Sequence, residues 1–202
     1  IQNEPKKGIQ KVILTASGGP FLNKSLKNIQ NISPKQALNH PTWKMGKKIS
    51  IDSSNMMNKV IELIEAKKIF GLSDKNISIL IHPTSYVHAI VIFKNNLIKI
   101  LAHEANMIIP ISNALNINYA LNQKKMEFNF KKLNNMEFIK PNYNQFPILS
   151  IINKIPKKDS YFETILISLN DSLVDKYLKG EINYISIQKN LINMIESTYL
   201  KK

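Results

Sequence analysis

The sequence predicts an α/β fold, in which a mixed sheet flanked by helices precedes a small all-helical C-terminal domain. Residues 11–16 form an apolar run of the length of a buried strand, and a turn with two glycines follows it directly. Residues 77–81 form a second strand pattern, and residues 86–93 and 97–101 are typical of a hairpin across a Lys-Asn-Asn turn. These strand patterns come before a region in which apolar residues recur at helical spacing.

The helical pattern begins at Tyr143 and predicts three helices, over residues 145–155, 160–178 and 184–199. Gly180 suits the end of the middle helix, because glycine readily adopts the left-handed conformation found there. We therefore expect three parts in the chain. They are a sheet-containing domain (1–107), a connecting segment (108–143) and a helical domain (144–202).

The chain is strongly basic, with 28 basic and 14 acidic residues and a formal net charge of +14. A basic surface can bind nucleic acid or an anionic membrane. All 28 basic residues are lysines, however, whereas arginine is the preferred residue for bidentate contacts with phosphate and guanine. The lysines are scattered among many Asn and Ile residues, and all three residue types have codons rich in A and T. Codon bias explains the charge more simply, and we expect no nucleic-acid partner.

Cysteine is absent, which excludes disulfides, thiolate metal sites and a cysteine nucleophile. No apolar run approaches about eighteen residues, so we expect no membrane span. The sequence starts at Ile1 rather than Met and shows no signal or transit peptide. We expect a protein that is not secreted, and its first residue here need not be the native N-terminus.

A predicted helix that begins at Asp52 or Ser53 and ends near Phe70 and Gly71 carries the strongest candidate for a binding site. Asp52 or Ser53 suits the N-cap, because its side-chain oxygen can accept from the free N–H groups of the first turn. At helical spacing one face is apolar and the opposite face is polar, with Lys59 at its edge. The polar face consists of Asn55, Asn58, Glu62 and Glu65.

This polar face predicts a site for a phosphorylated substrate and a divalent metal. A helix N-terminus attracts anions, and Ser53 and Lys59 would add a hydroxyl and an ammonium group there. Glu62 provides the hard oxygen that Mg²⁺ or Mn²⁺ prefers. The alternative is that a face with Asn, Lys and Glu is simply solvated.

Three motifs favour the binding site. The longest runs from His40 to Glu62 and includes His-Pro-x-Trp-x-Met-Gly-x-Lys-Ile-Ser-Ile-Asp-Ser, then Met-Met-Asn-Lys. Residues 14–21 are Leu-Thr-Ala-Ser-Gly-Gly-Pro-Phe, and residues 81–88 fit Ile-His-Pro-x-Ser-x-x-His. Together the motifs closely resemble the 1-deoxy-D-xylulose-5-phosphate reductoisomerase family, and the resemblance weakens after Ala102.

The resemblance implies an NADPH-dependent enzyme that converts 1-deoxy-D-xylulose 5-phosphate to 2-C-methyl-D-erythritol 4-phosphate in non-mevalonate isoprenoid biosynthesis. In such enzymes Mg²⁺, Mn²⁺ or Co²⁺ acts as a Lewis acid on the hydroxyl and carbonyl oxygens of this phosphorylated sugar. The carbon skeleton then rearranges, and NADPH delivers hydride. Family members are homodimers, and the resemblance places this chain in a bacterial cytoplasm or a plastid.

The resemblance also implies roles for individual residues. The substrate-binding set is Ser17, His40, Ser53, Asn58, Lys59 and Glu62. Within this set we expect His40, Lys59 and Glu62 to be catalytic and Glu62 to bind the metal. Residues 41–47 match the family's mobile flap.

Trp43 has two interpretations on physical grounds, since a large aromatic residue in a loop is either a core anchor or a lid over a ligand. We favour a lid, with Met45 beside it. Gly46 matches a family position near the nicotinamide cofactor.

Two family features do not occur in the sequence. The family's metal site draws two more acidic ligands from an Asp-Ser-Glu motif, and its NADPH-binding domain carries a Gly-rich turn. The family's Pro-Asp-Met-Arg-x-Pro-Ile run is also altered, at residues 105–111. We expect the nucleotide domain to lie outside this sequence. The alternative is a non-catalytic remnant or split subunit that binds a phosphate anion and lacks the nucleotide domain.

Overall fold

The computed structural model describes residues 8–41, 43, 45–115, 117, 130–158 and 160–197. The strands of its sheet are β1 (Ile9–Ala16), β2 (Ile77–Ile81), β3 (Val87–Phe93) and β4 (Ile98–Ala102). The α-helices of the described residues are α1 (Leu26–Ile29), α2 (Pro34–Ala37), α3 (Lys47–Asn55), α4 (Met57–Phe70), α5 (Ile108–Ala114), α6 (Phe130–Asn134), α7 (Phe162–Leu178) and α8 (Tyr184–Glu196). Short 3₁₀ helices cover Gly19–Phe21, Asp74–Asn76 and Pro147–Lys154.

The sheet is mixed, with the strand order β2-β1-β3-β4. Strand β1 pairs in parallel with β2, whereas the β1–β3 and β3–β4 pairs are antiparallel. The predicted α/β class and hairpin are confirmed. Ala16 at the end of β1 lies opposite Ile81 at the end of β2. The turns that follow these two strands therefore leave the sheet at the same end, beyond the carboxyl ends of the strands, where ligands commonly bind in α/β folds.

A single apolar cluster joins the sheet, α4 and the C-terminal helices. Val60 and Leu63 of α4 are buried in it, together with Leu166 of α7 and Leu191 of α8. Burying a side chain of this kind stabilises the fold by roughly 1.5–3 kcal/mol. The C-terminal helices therefore pack directly behind the helices that face the site.

The predicted N-cap at Asp52 or Ser53 is wrong. Both residues lie inside α3, and a new helix, α4, begins after Met56, which adopts the left-handed conformation with φ of 71°. Met56 is the N-cap of α4, and the side-chain oxygen of Asn55 accepts a hydrogen bond from the Met57 N–H at 2.9 Å, which gives a partner to one free N–H group at the start of the helix. This hydrogen bond and the full burial of the Met56 side chain oppose the cost of a left-handed methionine.

The C-terminal region contains the three predicted helices. The first is the 3₁₀ helix that starts at Pro147, and the other two are α7 and α8. Gly180 follows α7 with φ of 79°, as its position predicted. The division of the chain near residues 107 and 143 stays a prediction, because residues 118–129 of the connecting segment lie outside the described part. Within that part, no helix is long and apolar enough to cross a membrane.

Candidate active site

A cavity of about 300 Å³ lies where β1 ends against α3 and α4. Seven predicted site residues line it, namely Ser17, Trp43, Met45, Ser53, Asn58, Lys59 and Glu62. His40 reaches the cavity through its hydrogen bonds to two of these residues. A second cavity, of about 320 Å³, lies between the end of α4 and residues 155–158 and contains none of the predicted site residues.

His40 connects two hydroxyl groups from separate elements. Its Nε2 atom lies 3.1 Å from the Oγ of Ser17, in the turn after β1, and 3.1 Å from the Oγ of Ser53 in α3. Its Nδ1 atom accepts a hydrogen bond of 2.9 Å from the Trp43 backbone N–H. A neutral imidazole that accepts at Nδ1 carries its proton at Nε2, so Nε2–H is the donor shared by the two serine oxygens.

The environment of His40 supports the neutral form. Burial lowers the pKa of His40 below its usual value of 6.5. The Ser17 Oγ also accepts a hydrogen bond from the Gly19 N–H at 3.1 Å. Because the oxygen accepts in both of these bonds, the Ser17 hydroxyl can donate its proton to a ligand. The Ser17 hydroxyl is therefore arranged as a donor, which is what an anionic ligand requires.

The two glycines after Ser17 allow this turn to press against α3. Gly18 and Gly19 both adopt positive φ angles, of 81° and 66°. A Cβ atom on Gly19 would lie 2.8 Å from the Ser53 carbonyl oxygen and 2.9 Å from the Ser54 Cα. Only glycine fits both the conformation and the contact, and this contact brings Ser17 and Ser53 to the same imidazole.

The start of α4 contributes a charged pair and an amide. The Lys59 Nζ donates to both carboxylate oxygens of Glu62 at 2.6 Å, and the Lys59 side chain is only 12% exposed. The Asn58 Oδ1 is buried and has no hydrogen-bond partner among the described residues. An unpaired buried oxygen is costly, so this atom suits a ligand that donates to it.

The described residues do not form a metal site by themselves. Among them, no group of three or more His, Asp or Glu side chains is arranged to hold a metal ion. Glu62 offers one carboxylate to the cavity, and that carboxylate is paired with Lys59. Mg²⁺ needs about six oxygen ligands in near-octahedral geometry, so Glu62 could supply only a small part of such a set.

An aromatic wall, formed by Trp43, His88 and His103, lines another part of the cavity. The His88 and His103 rings stack with their centroids 3.6 Å apart, and Trp43 meets His88 edge-on at 5.8 Å. His88 Nε2–H donates to the His103 carbonyl oxygen at 3.1 Å. Burial lowers the pKa of His88 from 6.5 to about 4, so the stacked ring is neutral near pH 7.

The sequence did not identify every residue of the cavity. Ser85 and His103 also line it, and the buried Ser85 Oγ has no partner among the described residues. Ser17 follows β1 and Ser85 follows β2, and these two strands pair in parallel. Knowledge of this pairing would have placed Ser85 near Ser17, but the sequence alone does not specify it. Gly46 lies at the N-cap of α3, and Thr42 and Lys44 of the predicted flap lie outside the described residues.

Comparison with known families agrees with this geometry. A family model described as the 1-deoxy-D-xylulose 5-phosphate reductoisomerase C-terminal domain matches residues 1–70. Another, described as the DXP reductoisomerase C-terminal domain, matches residues 103–202. A 1-deoxy-D-xylulose 5-phosphate reductoisomerase of Pelagibacter ubique is 48% identical over 202 residues, which are all of this chain and 52% of the relative. The chain thus spans about half the length of the curated relatives it matches.

Solved structures show the same relation. A DOX-P reductoisomerase crystallised with NADPH, fosmidomycin and magnesium has a TM-score of 0.86 and 35% identity, over 96% of this chain and 48% of that one. The Zymomonas mobilis 1-deoxy-D-xylulose 5-phosphate reductoisomerase in complex with NADPH has a TM-score of 0.83 and 31% identity, over 96% and 51% of the two chains. The motifs, the sheet and both family matches lead to one conclusion: this chain belongs to the 1-deoxy-D-xylulose 5-phosphate reductoisomerase family.

Proposed function

We propose that this chain forms the substrate-binding part of an NADPH-dependent reductoisomerase that acts on 1-deoxy-D-xylulose 5-phosphate and yields 2-C-methyl-D-erythritol 4-phosphate for non-mevalonate isoprenoid synthesis. One observation carries the proposal: the Ser17 and Ser53 hydroxyls share the Nε2–H of His40 beside a cavity that Lys59 also lines. The names of the relatives support an active reductoisomerase over the non-catalytic remnant.

The polar side of the cavity would hold the phosphate of the substrate. Ser17 and Ser53 would donate hydroxyl protons to phosphate oxygens, with His40 keeping both oxygens in place. Lys59 would add a charge-assisted hydrogen bond, which is roughly twice as strong as a neutral one. The buried Asn58 Oδ1 would accept from a hydroxyl group of the sugar, which removes the cost of its lacking a partner.

Glu62 would contribute one oxygen to a divalent metal, Mg²⁺, Mn²⁺ or Co²⁺. Solved relatives contain magnesium, and in such a site the metal acts as a Lewis acid on substrate oxygens. The proposal requires the other ligands to come from substrate, water and residues outside the described part. Glu62 would have to turn from Lys59 toward the metal, which would leave Lys59 free to contact the phosphate.

The flap side would exclude water and receive the cofactor. Trp43 and Met45 line the cavity and are half-buried, as expected of side chains that cover a ligand. A Cβ atom placed on Gly46 would meet nothing within 4 Å, so the space around Gly46 is open to a cofactor ring. The NADPH found in two solved relatives supports the same cofactor here.

We also propose a homodimer that forms through the edge strand β4. Its Ile98, Ile100 and Leu101 side chains are 56%, 47% and 57% exposed. An unpaired apolar edge strand is a template for pairing with another chain, and a second copy would cover it symmetrically. The bacterial relatives favour a bacterial cytoplasm over a plastid as the location.

The test is a coupled assay on the full-length protein from its source. We expect NADPH oxidation that requires both 1-deoxy-D-xylulose 5-phosphate and a divalent metal, and that stops when EDTA is added. A full-length protein that contains a nucleotide-binding domain yet oxidises no NADPH with any of the three metals would contradict the proposal and favour the remnant.

A further inference from the structure

The two neighbours of Ser53 in the sequence are both held by the C-terminal helices. The Nδ2 of Asn170, in α7, donates to the Oδ1 of Asp52 at 2.9 Å. The hydroxyl of Tyr184, in α8, lies 2.8 Å from the Oγ of Ser54. Ser53, which shares His40 with Ser17, therefore lies between two contacts from residues more than 100 positions away in the sequence.

Both contacts are buried and have a defined direction. The Ser54 Oγ donates its proton to the Ile51 carbonyl oxygen at 2.6 Å, so Tyr184 must be the donor in its bond to Ser54. The other Asp52 oxygen, Oδ2, pairs with the Lys48 Nζ at 2.7 Å. Asp52 is 2% exposed and Tyr184 is 1% exposed, so water cannot readily replace either hydrogen bond.

The spacing of these contacts around α3 explains what they can control. Successive helical residues are about 100° apart around the axis, so contacts at residues 52 and 54 hold the two flanks of residue 53. Together they resist rotation of α3 in either direction. Such a rotation would move the Ser53 Oγ away from His40.

We propose that Asn170 and Tyr184 are positioning residues for the anion site, and that they act through Asp52 and Ser54 by fixing the rotation of α3 and hence the place of the Ser53 hydroxyl. The inference rests on the proposed function. It assigns to the C-terminal helices a part in substrate affinity in addition to their part in the core.

The chain offers a matched control in Tyr177. This residue is also 1% exposed, packs edge-on against Tyr184 at 5.7 Å, and donates a hydrogen bond of 2.9 Å to the Ile32 carbonyl oxygen. Tyr184→Phe and Tyr177→Phe each remove one buried hydroxyl and keep the ring. Only Tyr184 has a partner next to Ser53, so a purely structural role would give the two variants the same properties.

The experiment measures inorganic phosphate affinity by calorimetry, KM and kcat for 1-deoxy-D-xylulose 5-phosphate, and the melting temperature, all in the full-length protein. We expect both variants to lose a similar few degrees of melting temperature. Tyr184→Phe should also weaken phosphate binding and raise KM by about five-fold, with kcat little changed, which is the effect of one misplaced hydrogen bond. Tyr177→Phe should leave phosphate affinity and KM at the wild-type values.

A second variant pair tests whether Tyr184 acts through Ser53. Once Ser53→Ala has removed the hydroxyl, adding Tyr184→Phe should cause no further loss of phosphate affinity. Asn170→Ala, which removes the donor without adding volume to a fully buried position, should raise KM in the same way and provides the test if Tyr184→Phe does not fold. Equal phosphate affinities of Tyr184→Phe and Tyr177→Phe would overturn the inference, as would an undiminished effect of Tyr184→Phe in the Ser53→Ala background.

The controls separate this inference from the proposed function. If the wild type binds phosphate and Ser53→Ala weakens that binding, the anion site stands, and only the role of the C-terminal helices is under test. If Ser53→Ala leaves phosphate affinity unchanged, the anion site and this inference are both overturned.

Discussion

The two sides of the cavity are built from different chemistry. On the polar side, Ser17, His40 and Ser53 form a hydrogen-bonded group with its proton positions fixed by neighbouring backbone atoms. On the aromatic side, the His88 ring stacks on that of His103, and Trp43 meets His88 edge-on. The first side suits a phosphate, and the second suits a carbon skeleton or a flat cofactor ring. The cavity therefore combines a hydrogen-bonding part with an aromatic part, as the ligand that we propose requires.

The comparison also shows how each side is stabilised. The polar side depends on close backbone contact between the Gly18-Gly19 turn and α3, and on the hydrogen bond from the Met57 N–H to the Asn55 side chain where α4 begins. The aromatic side depends on ring stacking between residues of β3 and the segment after β4. Substitutions on the polar side should therefore reduce phosphate affinity, whereas substitutions on the aromatic side should mainly affect flap closure and the response to pH.

Lys59→Ala should have the largest effect. Loss of the ammonium removes a charge-assisted hydrogen bond from a largely buried position, so we expect kcat/KM to fall by about 100-fold. Lys75→Ala, at an exposed lysine away from the cavity, should behave like the wild type. Steady-state kinetics on the full-length protein provides the measurement, and unchanged kinetics for Lys59→Ala would remove this residue from the site.

Gly19→Ala tests the contact that brings the polar side together. The added Cβ meets the α3 backbone, and the positive φ disfavours alanine. We therefore expect the free energy of unfolding, measured by denaturant titration, to fall by about 2–3 kcal/mol. Gly71→Ala is the matched control, since Gly71 has φ of 64° but open space around its Cβ position. It should lose only about 1 kcal/mol, the cost of the conformation. Equal losses of unfolding free energy in the two variants would mean that the contact between Gly19 and α3 leaves room for a Cβ atom.

Trp43→Ala tests the aromatic side. The indole is half-buried and touches His88 at its edge, so its removal should raise KM by about five-fold through poorer flap closure, with little change in melting temperature. A melting temperature lowered by ten degrees or so would instead identify Trp43 as part of the core, because only the loss of a well-packed aromatic side chain costs that much.

The pH dependence of stability should show the smallest effect. The folded pKa of His88, about 4, lies below the value of 6.5 for an exposed histidine, so the unfolded chain binds a proton first as pH falls. Stability should therefore decrease as pH drops from 6.5 toward 4, and the loss should be modest because His88 is partly exposed. His88→Phe keeps a ring without a titrating group and should flatten the curve in this window. A curve with the same slope in the variant would assign the pH dependence to other groups.

Much of the polar side could be predicted from the sequence, because it rests on local patterns. The strand before Ser17 and the positions of Asn58 and Lys59 follow from spacing and motif. The break at Met56 could not be predicted, since methionine rarely adopts the left-handed conformation and the Met57 N–H bonds the Asn55 side chain in place of a backbone carbonyl of a continuous helix.

The rest of the site could not be predicted from the sequence, because it depends on contacts between residues far apart in the chain. Ser85 joins the cavity because β1 and β2 run in parallel, and His103 joins it because β4 returns alongside β3. The contacts of Asp52 with Asn170 and of Ser54 with Tyr184 depend on how two distant helices pack. No local periodicity specifies these partners.

The most direct test of the anion site is calorimetric comparison of 1-deoxy-D-xylulose 5-phosphate with 1-deoxy-D-xylulose, using the full-length wild type and Lys59→Ala. We expect the wild type to bind the phosphorylated sugar at least about ten-fold more tightly, as a charge-assisted contact of this kind provides. That preference should largely disappear in Lys59→Ala. Equal affinity of the wild type for the two sugars, or a preference that Lys59→Ala leaves intact, would contradict the assignment of this cavity to the phosphate.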